Sequence, residues 1–140
     1  MVALACCPCL DSPAVSAQAH VLVVDDDASI RLLCRVNLEL DGHQVVDVGT
    51  LDEARDAVDE EDFDLVILDV HVAGGDGRDF LAELRESRPE LPVALLTGTA
   101  DRSELVRAGA DALIPKPFTL EELRETVERL SRGRSSDRAR

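Results

Sequence analysis

Five short apolar runs mark this chain, and the stretches between them place apolar side chains at helical spacing. The runs are His20–Val24, Gln44–Val48, Asp64–Leu68, Pro92–Leu96 and Asp111–Ile114. Most are nearly continuous rather than alternating, the pattern of strands covered on both faces. In the first intervening stretch Ile30, Leu33, Val36 (or Asn37) and Leu40 define a helical face, and Gly42 supplies a stop. Thr50-Leu51-Asp52-Glu53 is a capping box that opens the second helix. Phe80, Leu81 and Leu84 carry the third. The fourth runs from Asp101 or Ser103 to Ala108 and ends at Gly109. A second capping box, Thr119-Leu120-Glu121-Glu122, opens the fifth, whose stripe is Leu120, Leu123, Val127 and Leu130. Strict strand–helix alternation predicts an α/β domain with a parallel sheet. Right-handed crossovers put helices on both faces, giving a three-layer sandwich.

The pattern fills residues 20–131. Residues 1–19 show no periodicity and are expected to form a disordered leader; residues 132–140 are expected to form a flexible basic tail. The leader holds Cys6-Cys7-Pro8-Cys9. A structural zinc site needs four ligands, usually in two separated pairs, and the remaining cysteine is Cys34 in the first helix. The leader lacks a basic n-region and a sustained apolar stretch, so a secretory signal is not expected, and the location expected is cytoplasmic. No apolar run reaches the ~18 residues of a membrane span. The chain has 140 residues, enough for one domain with its own core. Aromatic residues are 2% of it, so that core must be aliphatic. A net charge of −14 argues against direct nucleic-acid binding and against anionic membranes, both of which select for Lys and Arg.

The charged and hydroxyl residues stand where the runs end. Asp25 and Asp26 follow the first run, Asp69 the third, Thr97 the fourth and Lys116 the fifth. In an open parallel sheet all these ends share one edge, where ligands bind. Three carboxylates, a hydroxyl and an ammonium suit a divalent metal and a phosphoryl group. Adjacent Asp25 and Asp26 point in different directions, so one can bind a metal directly and the other through water, an arrangement that fits Mg²⁺. Alternatively, Asp25-Asp26-Asp27 opens a helix whose dipole favours acids, with Asp27 or Ser29 as the cap. Asp69 is the candidate nucleophile, since a carboxylate can attack phosphorus to form an acyl phosphate. The loop after it contains Gly74, Gly75 and Gly77. Lys116 is the only lysine in the chain and lies between two prolines.

Asp25-Asp26, Asp69, Thr97 and Lys116-Pro117-Phe118, in this order and on these strands, resemble the receiver domain of two-component response regulators. The resemblance covers about His20 to Leu130. It implies a flavodoxin-like fold with strand order 2-1-3-4-5. It also implies that Asp69 accepts a phosphoryl group from a histidine kinase or histidine phosphotransfer protein. Asp26, Asp69 and the backbone carbonyl of His71 would bind Mg²⁺, Asp25 would assist through water, and Thr97 and Lys116 would hold the phosphoryl oxygens. The chain departs from the family pattern at Val72-Ala73, where a Met-Pro pair is usual, and at Leu113, where an aromatic side chain is frequent. His71 and Thr99 stand at the family's variable positions beside the pocket.

The function expected is a stand-alone receiver. It is not an enzyme, but a phospho-acceptor that assists its own phosphoryl transfer and dephosphorylation. Phosphorylation would switch a face built from the fourth helix, fifth strand and fifth helix, which binds a downstream protein or a second copy. The alternative is a phosphorylation-independent receiver acting as an interaction module. A third possibility is a phosphatase with Asp25 as nucleophile and Asp27 as acid.

Overall fold

The computed structural model describes residues 19–72, 75–98 and 102–138. The Cys6-Cys7-Pro8-Cys9 cluster and Thr99 lie outside the described residues. Strands β1 (His20–Val24), β2 (Gln44–Val48), β3 (Leu65–Asp69), β6 (Val93–Thr97) and β7 (Ala112–Pro115) form one sheet in the order β2-β1-β3-β6-β7. Every neighbouring pair in it is parallel. Counted along this sheet the order is 2-1-3-4-5, as expected. Helices α1 (Ala28–Leu40), α2 (Leu51–Glu60), α3 (Gly77–Ser87), α4 (Arg102–Arg107) and α5 (Leu120–Arg138) connect and follow the strands.

Alternate strand residues feed two separate cores. Val21, Val23, Leu65, Ile67, Ala94, Leu96 and Ile114 pack with Cys34 and Leu38 of α1 and Leu123 and Val127 of α5. Leu22, Val24, Val66, Leu68, Val93 and Leu95 pack with Ala54 and Val58 of α2 and Phe80, Leu81 and Leu84 of α3. Both faces are covered by helices, which explains the unbroken apolar runs. Apart from Phe80, the largest fully buried side chains are Leu and Ile.

Three strands sit one residue later than the apolar runs predict, because their first residues do other work. Asp64 accepts the His20 N–H through Oδ2 at 2.9 Å, and Asp111 accepts the Val93 N–H at 2.8 Å. At the far ends the ladder takes in Asp69, level with Leu96, and Thr97, level with Pro115. The segment after Asp69 also carries two short antiparallel strands, β4 (His71–Val72) and β5 (Gly75–Asp76), which the apolar pattern does not reveal.

The face predicted for α1 holds at Ile30 and at the alternative Asn37, which is half-buried, and fails at its other positions. The helix packs through Cys34 and Leu38, with Ile30 partly buried, while Leu33, Val36 and Leu40 are exposed, Leu40 at 78%. Apolar residues surround more than half of this helix, so the hydrophobic count alone does not fix its rotation. Helix α5 continues to Arg138, beyond the expected boundary at residue 131. The segment contains no proline, and its one glycine, Gly133, costs only about 1 kcal/mol relative to alanine.

Candidate functional site

The parallel register assembles the site. Val24 is level with Leu68, so Asp25 and Asp69 leave their strands side by side. Thr97 is one residue beyond the level of Asp69, and Lys116 one beyond that of Thr97. Val48 O accepts the Asp25 N–H at 3.2 Å, tying the end of β1 to β2. Thr97 O accepts the Lys116 N–H at 2.9 Å, fixing the Lys116 backbone to β6. The Lys116–Pro117 peptide is cis.

Lys116 Nζ lies between two carboxylates, 3.0 Å from Asp25 Oδ2 and 3.2 Å from Asp69 Oδ2. Asp25 is fully buried, and its Oδ1 accepts the Asp27 N–H at 2.9 Å. Burial pushes the Asp25 carboxyl above its ordinary pKa, against the Asp27 and Lys116 hydrogen bonds, and the Asp69 charge adds to the rise. Burial alone would lower the Lys116 ammonium, but Asp25 and then Asp69 outweigh it and hold the pKa above the usual lysine value. Carboxylate oxygens of Asp25, Asp26 and Asp69 all lie within 4.8 Å of one another. Asp26 is exposed, whereas Asp69 is buried and accepts the His71 N–H at 3.3 Å. The site thus gathers hard oxygen donors around a buried acid with excess negative charge, which fits a small divalent cation.

The other expected residues divide. Thr97 is buried beside Asp69, and its carbonyl joins it to Lys116. His71 is exposed on β4, and its backbone N–H reaches the acidic cluster at Asp69. Asp27, with φ −88°, is the cap of α1 and accepts the Ser29 N–H at 2.9 Å. That is the capping role the sequence offers for it. Cys34 lies below the site, and burial, aided by the Asp25 charge, pushes its thiol up to about 12. It therefore stays protonated and serves as packing.

Two contributions escape sequence reasoning: the close approach at Gly77, named there only as a loop glycine, and the reach of Arg31. Gly77 begins α3 and donates its N–H to Val70 O at 2.7 Å, and a side chain there would overlap the Asp69 carbonyl oxygen. Arg31 donates from Nη1 to the Asp25 carbonyl at 2.7 Å. In the sequence it is one polar residue beside an apolar stripe, and no spacing marks it. Among the described residues no helix is long and apolar enough to cross a membrane.

The pattern of the response regulator receiver domain matches residues 21–128. The response regulator protein FleR of Pseudomonas aeruginosa is 39% identical over 118 residues, 82% of this chain and 25% of FleR. The response regulator MprA of a Mycobacterium species is 38% identical over 121 residues, 84% of this chain and 53% of MprA. This chain therefore spans between a quarter and about half of these curated relatives. Among solved structures, a CheY-like receiver domain protein of Methanospirillum hungatei superposes with a TM-score of 0.80 at 28% identity, covering 86% of this chain and 98% of that one. NtrX of Brucella abortus gives 0.81 at 32% identity, covering 87% of this chain and 29% of NtrX. The match across the whole sheet, with the acidic cluster at its carboxyl edge, places this chain in the response regulator receiver domain family.

Proposed function

We propose that this chain is a phosphorylation-controlled receiver in which Asp69 takes a phosphoryl group from a phosphohistidine of a histidine kinase or phosphotransfer protein. The observation that carries the reading is the ammonium of Lys116 held between Asp25 and Asp69, with Asp26 completing the acidic cluster. An Asp69 carboxylate oxygen forms the bond to phosphorus as the phosphorus–nitrogen bond breaks. The imidazole leaves with the electron pair and takes a proton from solvent. Lys116 is in reach of the charge that develops on the phosphoryl oxygens, and Thr97 stands beside it on β6 as the hydroxyl partner. Asp25, Asp26, Asp69 and the His71 carbonyl are the proposed Mg²⁺ ligands, Asp25 through water; bound there, Mg²⁺ neutralises charge on the phosphoryl group.

The added charge redistributes the contacts of Lys116 and Thr97 and so biases the face made by α4, β7 and α5. A cavity of about 570 Å³ on that side is lined by Ser103, Val106, Arg107, Asp111 and Leu113. This face is the proposed site for a downstream protein or a second copy, in a cytoplasmic setting. Incubation with acetyl phosphate and Mg²⁺ should add one phosphoryl group to the intact mass, and Asp69→Asn should abolish it. Persistent labelling of Asp69→Asn would refute the assignment. Partner affinity unchanged by phosphodonor would instead favour a phosphate-independent interaction module.

A further inference from the structure

Arg31 reaches the acidic turn from behind. Its Nη1 donates to the Asp25 carbonyl at 2.7 Å, and its Nε donates to Asp47 Oδ2 on β2 at 3.2 Å. The other Asp47 oxygen accepts from Arg35 Nη1 at 2.9 Å, so the brace is itself braced. The guanidinium passes over Gly49, where a Cβ would stand 2.9 Å from Nη1 and 3.5 Å from Cζ. A Cβ at position 49 would press on the end of the arginine and push it aside.

These contacts complete the fixation of Asp25. Its N–H is held by Val48, Oδ1 by Asp27, Oδ2 by Lys116, and its carbonyl by Arg31. The carbonyl matters because a peptide is planar. Fixing Asp25 O fixes the same plane that carries the Asp26 nitrogen, and hence the direction in which exposed Asp26 starts. We propose that Arg31, braced by Asp47 and admitted by Gly49, is a positioning residue that orients the Asp25–Asp26 peptide so that both carboxylates converge with Asp69 on a divalent cation. The inference rests on the metal-binding reading given above.

Two effects of Arg31 have opposite signs, which makes the proposal decidable. As a cation near a cation site, it opposes metal binding by Coulomb repulsion. As a support behind the ligands, it favours binding. Mg²⁺ titration calorimetry on the full chain separates them. Arg31→Gln is expected to weaken affinity by roughly tenfold or more, as loss of a supporting contact behind metal ligands commonly does. Arg31→Lys keeps the charge but not the fork, and is expected to weaken it too. Gly49→Ala leaves the arginine present but pushed aside, and should weaken affinity in the same direction by less than Arg31→Gln does. Gly49→Ala combined with Arg31→Gln should be no worse than the more severe single change.

Unchanged or tighter Mg²⁺ binding in folded Arg31→Gln overturns the proposal, as does full additivity of the two losses. Should Arg31→Gln fail to fold, Arg31→Lys and Gly49→Ala decide on the same terms. Asp26→Asn is the control. If it loses Mg²⁺ while Arg31→Gln does not, only the positioning role falls. If the wild type takes up no Mg²⁺, the metal-binding reading falls and this inference with it.

Discussion

Asp25 is a buried carboxylate that shares one ammonium with Asp69. Burial and the Asp69 charge raise its pKa above 3.8 despite the hydrogen bonds from Asp27 and Lys116. Between 3.8 and that raised value the folded protein binds more protons than the unfolded chain. Stability therefore falls as pH rises through this window, and the deficit persists at neutral pH. Asp25→Asn keeps the shape and an acceptor for the Asp27 N–H while removing the charge. Metal-free Asp25→Asn should thus be more stable than the wild type at pH 7. The gain should shrink as pH falls through that same window and vanish well below 3.8, where the wild-type side chain is neutral in both states. Urea unfolding across a pH series without divalent ions checks this. Lower stability of the variant at pH 7 would show that pairing with Lys116 outweighs burial. The strand ends in the sequence are enough to gather Asp25, Asp69 and Lys116. Their pairings are set by interstrand register, which sequence alone does not expose.

At the scale of elements, the α3 N-terminus holds the acceptor strand in place. Gly77 packs so closely that a Cβ would overlap Asp69 O and lie 3.1 Å from both Asp69 C and Val70 Cα. These are backbone atoms at the end of β3, where the sheet allows little retreat. Gly77→Ala is expected to cost about 1–3 kcal/mol, the usual range for overpacking. It should also slow the proposed labelling of Asp69 by acetyl phosphate, because relief of the clash displaces Asp69 itself. Urea unfolding and labelling rates measure the two effects; normal stability and normal labelling together would contradict the packing argument. Legibility varied among elements for identifiable reasons. The capping box at Thr50 was readable because its hydrogen bonds are local: Glu53 N donates to Thr50 Oγ1 at 3.1 Å, and Gly49 N to Glu53 Oε1 at 3.1 Å. The rotation of α1 was not, because Leu33, Val36 and Leu40 compete with Cys34 and Leu38, and only the sheet beneath decides. The β4–β5 pair was hidden because strands of two residues leave no periodicity to detect.

Across the whole molecule the net charge is −14, and the edge of the sheet adds Asp25, Asp26 and Asp69 in close proximity. On the proposed metal-binding reading, cations stabilise this fold in two separable ways. Monovalent salt screens the general self-repulsion over about 10 Å at 0.1 M. A bound divalent ion acts by mass action on the folded state alone, adding about 2.7 kcal/mol at a hundred times its dissociation constant. Mg²⁺ should accordingly raise the unfolding midpoint beyond sodium chloride at the same ionic strength. Asp26→Asn separates the contributions, because it removes one exposed ligand while barely altering the total charge. Its response to sodium chloride should match the wild type, and its extra response to Mg²⁺ should be largely lost. Equal responses to the two salts in the wild type would mean that the clustered aspartates act as general surface charge, and that the edge of the sheet selects no divalent ion.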